Sequence, residues 1–319
     1  MKENPEFKGK GGDFFVLYLK NILLTIVTFG IYKFWAKVET IKYLYQNTSV
    51  YNESFDYHGT GKEAFVGFVK GIFIIGGLGA VWSLINYALT AILGESGSII
   101  SVLLLYIGFI SAQPLLILGS MRYHYSRTSW SQIRFGFKGN TKEFYFLFIK
   151  GAILTGLTFG IYAPWFFTNL SKFYSKSTHM GQRNFKFNGQ GGDYFGIFVG
   201  GYLLTLFTFG IYSFWWKASM ERYYWNNLEF GPIRFKSTIS GGQVFLNDIT
   251  VLAMIIFSLG LAFSWALIKT IKLSFDNLSL EGDPKLEEIV GSLDRDASSI
   301  SDGVGEAAEA LEQVGEMFA

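Results

Sequence analysis

The sequence predicts an all-α integral membrane protein. It should hold five tandem helical-hairpin repeats of about 50 residues, joined by short β-strand linkers on one face and followed by a C-terminal amphipathic helix. Three observations carry this. Half of the 319 residues are hydrophobic and only 16% are charged, where an average soluble domain has about 25% charged residues. Six stretches, 14–35, 65–93, 99–119, 144–167, 194–216 and 244–268, are apolar, over lengths near the roughly 20 residues that a bilayer core of about 30 Å requires of a helix. The third is a motif that recurs in register along the chain. Such a composition argues against an ordinary two-domain soluble enzyme and against a disordered chain. The absence of cysteine excludes disulfides, thiolate metal sites and a cysteine nucleophile. Residues 1–13 are polar and mixed in charge, with no cleavage site after the first apolar stretch, so no cleavable signal is expected.

The motif is aromatic-x-Gly-x-x-x-acid-x-aromatic. It reads Phe7, Gly9, Asp13, Phe15; Tyr57, Gly59, Glu63, Phe65; Phe137, Gly139, Glu143, Tyr145; and Phe187, Gly189, Asp193, Phe195. A worn fifth copy keeps Gly241, Gly242 and Phe245. The marker acids Asp13, Glu63, Glu143 and Asp193, with position 243, lie 50, 80, 50 and 50 residues apart, so the second copy carries a 30-residue insertion. Fifteen residues past the marker begins Thr-Phe-Gly-Ile-Tyr, at Thr28, Thr158 and Thr208, with Ser258-Leu259-Gly260 as the fifth version. Twenty-two past it stand Trp35, Trp165, Trp215 and Trp265, and a base follows seven residues later at Lys42, Lys172, Arg222 and Lys272. In the inserted copy Arg122 holds that position, and Pro114 matches Pro164. The domains are thus a membrane body, 1–280, with repeats near 7–54, 55–134, 135–184, 185–234 and 235–280, and a tail, 281–319.

Each repeat has a local logic. Residues 55–59, 135–139 and 185–189 alternate aromatic and other residues with period two, the pattern of short strands ending at a turn. The marker acid then falls in the first turn of an apolar helix, where the positive dipole end favours a carboxylate. About 15 residues later Thr-Phe-Gly ends that helix, and in the third copy Pro164 opens the next one. The second limb ends near the base and should run into strands at 43–48 and 122–128.

Topology follows from charge. The linkers carry Lys37, Lys42, Arg122, Arg127, Arg134, Lys138, Lys172, Lys176, Arg183, Lys186, Arg222, Arg234 and Lys236, whereas the loop 94–98 has no base. By the positive-inside rule the linkers and both termini belong in the cytoplasm and that loop outside. Each repeat then enters and leaves from one face, as a shallow hairpin. Six full crossings with linkers on both faces is the alternative that hydropathy allows. The Trp residues at the downstream ends suit interfacial anchoring.

Candidate chemistry is sparse. Lys20, Lys70 and Lys150 lie seven residues past the marker, two helical turns on, and with Asp248 could line a polar path between repeated helices. Snorkelling lysine anchors account for the same spacing. His58, His124 and His179 occupy unrelated repeat positions, and no metal-ligand spacing occurs, so neither metal nor cofactor is expected. His58-Gly-Thr-Gly-Lys62 lacks the glycine spacing of a phosphate loop. The basic aromatic linkers suit anionic lipid headgroups rather than nucleic acid. In the tail, Leu286, Val290, Leu293, Ala297, Ile300, Val304, Ala307, Leu311, Val314 and Phe318 are spaced alternately by four and three, a heptad pattern. Gly291, Gly303, Gly305 and Gly315 weaken it. Residues 281–319 hold 11 acids and 2 bases, net −9, and residues 1–280 hold 14 acids and 25 bases, net +11. A basic body thus carries an acidic tail, and residues 286–318 could dock on the body or on a partner.

The recurring Gly-Gly-Asp-aromatic-Phe, Thr-Phe-Gly-Ile-Tyr and basic-Tyr elements resemble the YjgN-like family of bacterial inner-membrane proteins, over about residues 7–280. The resemblance implies a multi-pass protein of the bacterial inner membrane and no particular activity. Family members often carry Pro-Trp after Gly-Ile-Tyr; here only Ala163-Pro164-Trp165 keeps the proline. The sequence-based expectation is a transport or pore-type protein, with a scaffold that shapes the membrane and recruits partners as the alternative. An enzyme is not expected, a lipid-acting one being the remaining possibility.

Overall fold

In the computed structural model, residues 2–282 are described. The heptad-patterned segment 286–318 lies outside them. Among the described residues the chain opens with β1 (Lys2–Glu3) and β2 (Glu6–Phe7), and then alternates helix pairs with strand pairs. α1 (Gly11–Val27) and α2 (Lys33–Gln46) lead to β3 (Thr48–Val50) and β4 (Glu53–Tyr57). The long pair α3 (Gly61–Leu93) and α4 (Glu95–Ser126) leads to β5 (Thr128–Trp130) and β6 (Ile133–Phe137). α5 (Thr141–Leu157) and α6 (Ala163–Ser177) precede β7 (Thr178–Met180) and β8 (Arg183–Phe187). α7 (Gly191–Phe207) and α8 (Ser213–Asn226) precede β9 (Leu228–Phe230) and β10 (Ile233–Ser237). α9 (Gly241–Phe257), α10 (Phe263–Asp276) and β11 (Leu278–Glu281) are the last of the described elements.

The all-α expectation is corrected here. All eleven strands join one antiparallel sheet, in the order β1-β11-β10-β9-β8-β7-β6-β5-β4-β3-β2. Among the described residues only α3 and α4 are long and apolar enough to cross a membrane. The chain is a mixed helix-and-sheet protein, not an all-α bundle of five membrane hairpins joined by short strand linkers. The physical reason is that each strand is two to five residues long, and much of its pairing lies far along the chain. Phe55 pairs with Trp130 and Phe135 with Met180, so no local pattern announces a sheet. The strands expected at 43–48 and 122–128 also shift. α2 runs to Gln46 and α4 to Ser126, and strands start only at Thr48 and Thr128.

One pairing rule organises the sheet. The start of β4 pairs back to β3 (Ser49 with Ser54, Val50 with Glu53), and its end pairs forward to β5 (Phe55 with Trp130, Tyr57 with Thr128). The N-terminal segment splits in the same way. Lys2 and Glu3 pair with Glu281 and Leu280 of β11, while Glu6 and Phe7 pair with Ser49 and Thr48 of β3. Between them stand Asn4 and Pro5, and a proline has no N–H to donate to a ladder. One short segment therefore occupies both ends of the strand order, and the sheet curls round to meet itself without leaving a long open edge. The helices close in parallel: each packs on its neighbours in chain order, and α10 returns to pack on α1.

Alternating strand residues point inward to a core of Trp130, Ile133, Met180, Phe230, Ile233 and Leu280, with Phe55, Phe135, Phe185 and Phe235 packed against it. Phe135 stacks between Phe55 and Phe185 at ring-centroid distances of 6.2 and 6.4 Å, and Phe185 lies 4.6 Å from Phe230. The intervening residues Asn184, Lys186, Arg234 and Lys236 are exposed. Pro5 stands where this register would place a further phenylalanine, eight residues before the marker acid.

The tryptophans read as interfacial anchors meet glycines that open the next first-limb helix. A Cβ at Gly61, Gly191, Gly241 or Gly11 would collide with the indole of Trp35, Trp165, Trp215 or Trp265 respectively. Glycine is required there because a ring lies flat on the backbone. Gly191→Leu should therefore cost ~3 kcal/mol by overpacking, read as a lower unfolding midpoint in detergent. Adding Trp165→Ala should restore part of the loss, whereas a Gly191→Leu protein that melts with the wild type contradicts the contact.

Candidate functional site

The helix-pair tips are built the same way four times. Thr28 donates through Oγ1 to the Leu24 carbonyl at 2.7 Å and accepts from the Tyr32 N–H at 2.9 Å, which fixes the turn. Phe29 then takes a left-handed backbone with φ 50°, followed by Gly30 at φ 89°. Phe159, Phe209 and Leu259 repeat this at φ 49°, 50° and 52°. A left-handed bulky residue costs roughly 1–2 kcal/mol, yet each of these side chains projects into open space. Phe29, Phe159 and Phe209 are 98% exposed and Leu259 is 94% exposed.

The helices below the tips continue this surface. Val27, Phe73, Leu157, Phe207 and Phe257 are all at least 73% exposed. Such a belt exceeds what a soluble monomer leaves bare. The 17-residue first limbs span about 25 Å at 1.5 Å per residue, less than the hydrocarbon thickness of about 30 Å. The 33 and 32 residues of α3 and α4 span about 50 Å, long enough to cross.

The four residues proposed for a polar path are not brought together. Lys20 is tied to α2 by a 2.7 Å ion pair with Glu39, whose carboxylate also accepts from Tyr32 at 3.0 Å. Asp248 is tied to α8 by Lys217 at 3.0 Å and accepts from Asn247 at 3.1 Å. Lys70 and Lys150 stand exposed on α3 and α5.

The marker acids lie in first helical turns, as their position suggests. Glu63 completes a capping box with Thr60 and also accepts from Tyr123 at 3.0 Å and Arg127 at 3.2 Å. Glu143 pairs with Lys176 at 2.7 Å. Glu63 and Glu143 thus latch the start of one limb to the end of its partner at the sheet end. Among the histidines, His58 bonds Ser129 at 2.8 Å. His179 lies against Gly136, and burial and the nearby Lys138 push its imidazole below the usual value. Among the described residues no three His, Asp or Glu side chains gather as a metal site.

Two features escaped the sequence reading. Arg122 donates to the Gly139 carbonyl at 2.9 Å and to Thr141 at 3.0 Å, and Arg222 donates to the Ile239 carbonyl. The base after each tryptophan position is, in these two copies, a clasp to the following segment. The second feature is a cavity of about 550 Å³ among the ends of the second limbs, walled by Tyr45, Met121, Tyr125 and Phe275 and floored by Phe55 and Phe135. The recurrence of aromatic residues 31 or 32 positions past the marker in the uninserted copies (Tyr45, Tyr174, Tyr224, Trp225, Phe275) was the available signal.

A closed ring of helix pairs with an apolar outer belt, seated on a sheet, is a protein made to be covered by hydrocarbon. The chain belongs to the family described as bacterial protein of unknown function (DUF898), which matches residues 2–187, 182–231 and 216–307. It is similar to the inner membrane protein YjgN of Salmonella typhimurium, 33% identical over 132 residues, which is 41% of this chain and 30% of the relative. It is also 31% identical to the inner membrane protein YjgN of Escherichia coli over 159 residues, 49% of this chain and 37% of the relative. The matched stretches thus span well under half of those relatives' length. No solved structure matches the chain. Membership of this YjgN-like family supports the bacterial inner membrane as its location.

Proposed function

We propose that this chain is a structural protein of the inner membrane that wedges four shallow helix pairs into the cytoplasmic leaflet and pins itself there with one spanning pair. The carrying observation is the set of four fully exposed tip residues, Phe29, Phe159, Phe209 and Leu259, on limbs too short to cross. Filling one leaflet more than the other bends a bilayer, so the effect is to shape or organise the membrane around the ring. The sheet lies on the cytoplasmic side, where exposed Lys186, Arg234 and Lys236 meet anionic headgroups, and the acidic tail recruits partners. No catalysis is needed. This reading stands above a transport path because Lys20, Lys70, Lys150 and Asp248 are apart and an aromatic cluster fills the sheet end of the ring.

Single cysteines introduced into this cysteine-free chain test the arrangement. A membrane-impermeant maleimide applied from the periplasm should label position 95 and leave positions 139 and 189 untouched until the membrane is permeabilised. Periplasmic labelling at 139 or 189 rejects the one-sided arrangement. Reconstituted protein should reduce vesicle diameter as the protein-to-lipid ratio rises. Unchanged vesicles, together with a solute flux abolished by Asp248→Asn, would return the case to transport.

A further inference from the structure

We infer that the cavity inside the ring is a binding site for the acyl chain of a membrane lipid. The inference rests on the ring's being embedded in the bilayer. About 550 Å³ is within the range of ordinary ligand pockets, roughly 300–1,000 Å³. Its walls are the aromatic and thioether groups already named, and its polar atoms are those of Thr48, Ser120, His124 and Thr128 together with the tyrosine hydroxyls. Among the described residues no Asp, Glu, Lys or Arg lines it, which favours an apolar occupant over an ionic one that would need charged partners when buried.

The access route selects the lipid. Phe55 and Phe135 belong both to the cavity floor and to the aromatic cluster at the sheet end. In the other direction the wall of α4 continues from His124 through Ser120 to Leu116, a helical stripe with spacing four, and Leu116 is 65% exposed. That stripe leads from the cavity along α4 towards the tips. The lining mixes hydroxyls and an imidazole with aromatic rings at the sheet ends of α2, α4 and α10. An acyl chain fits this lining, with its length along the α4 stripe.

The test uses the full chain in vesicles of phosphatidylethanolamine and phosphatidylglycerol containing a trace of phospholipid with a diazirine in its acyl chain. After irradiation, crosslinks should map to Met121, Tyr125, Tyr45 or Phe275 as well as to outward residues such as Val16, Leu23 and Val27. Ser120→Trp, which fills the cavity, should lower the interior crosslinks several-fold and leave the outward ones unchanged, the latter also reporting that the variant is folded and inserted. Crosslinks confined to outward residues in the wild type, or interior crosslinks that survive Ser120→Trp at full yield, overturn the inference while leaving embedding intact. Absence of crosslinks on both faces overturns embedding as well.

Discussion

Deleting residues 2–8 should open the ring and turn a monodisperse protein into an aggregating one. The deletion strips β11 and β3 of one partner each at once, because one segment serves both ends of the sheet. It also removes Phe7, which is buried with Phe14 and Ile268 between the first and last helix pairs. Burial of one such side chain contributes about 1.5–3 kcal/mol, and each lost backbone bond about 1 kcal/mol more. Bare edges then template pairing with a second chain. Size-exclusion chromatography in detergent should show the loss of the monodisperse peak. Supplying residues 2–8 as a peptide should restore part of it if the segment acts by strand addition. A truncated chain that stays monodisperse and melts with the full chain would show that the ring does not depend on this closure.

Charging the tips should uncouple the hairpins from the bilayer without releasing the protein. A carboxylate in the hydrocarbon costs about 2.5–3.5 kcal/mol at the centre of a spanning helix. Phe29→Asp, Phe159→Asp and Phe209→Asp together therefore impose a penalty that the exposed apolar belt on three short helix pairs must meet alone. The α3–α4 pair is untouched, so the triple variant should remain in the membrane fraction. Cysteines placed beside the charged tips should become reactive to a water-soluble maleimide, and the effect on vesicle diameter should disappear. The matched Phe→Leu triple variant should behave as wild type, which separates apolar contact from aromatic shape. Tips that stay protected with three charges, or vesicle shaping that persists, would refute the wedge.

Much of this architecture was legible because its signals are local. The Thr-Phe-Gly turn is written in contiguous residues: a hydroxyl that closes the turn, a glycine with positive φ, and between them the residue that is thrown outward. The marker acid reports a helix start because the dipole and the orphan N–H groups act within one turn. The tryptophans were found by register, but their role was not, since the glycine covered lies 26 residues on for Trp35, Trp165 and Trp215 and at Gly11, the other end of the body, for Trp265. The lysines illustrate the converse. A shared helical position suggested a shared destination, yet Lys20 is claimed by Glu39 while Lys70 and Lys150 stand exposed on α3 and α5.

The sequence by itself determined that the chain is apolar enough for a membrane, where its helices begin and turn, and which family it resembles. All of these depend on composition and on contacts within a few residues. Only the tertiary structure decided that short strands merge into one sheet, that the N-terminal segment closes it across Pro5, and that aromatic side chains from separate helix pairs line one cavity. Those outcomes depend on residues tens to hundreds of positions apart. Lys2 and Glu281 meet as strand partners, and nothing in the neighbourhood of either residue encodes the other.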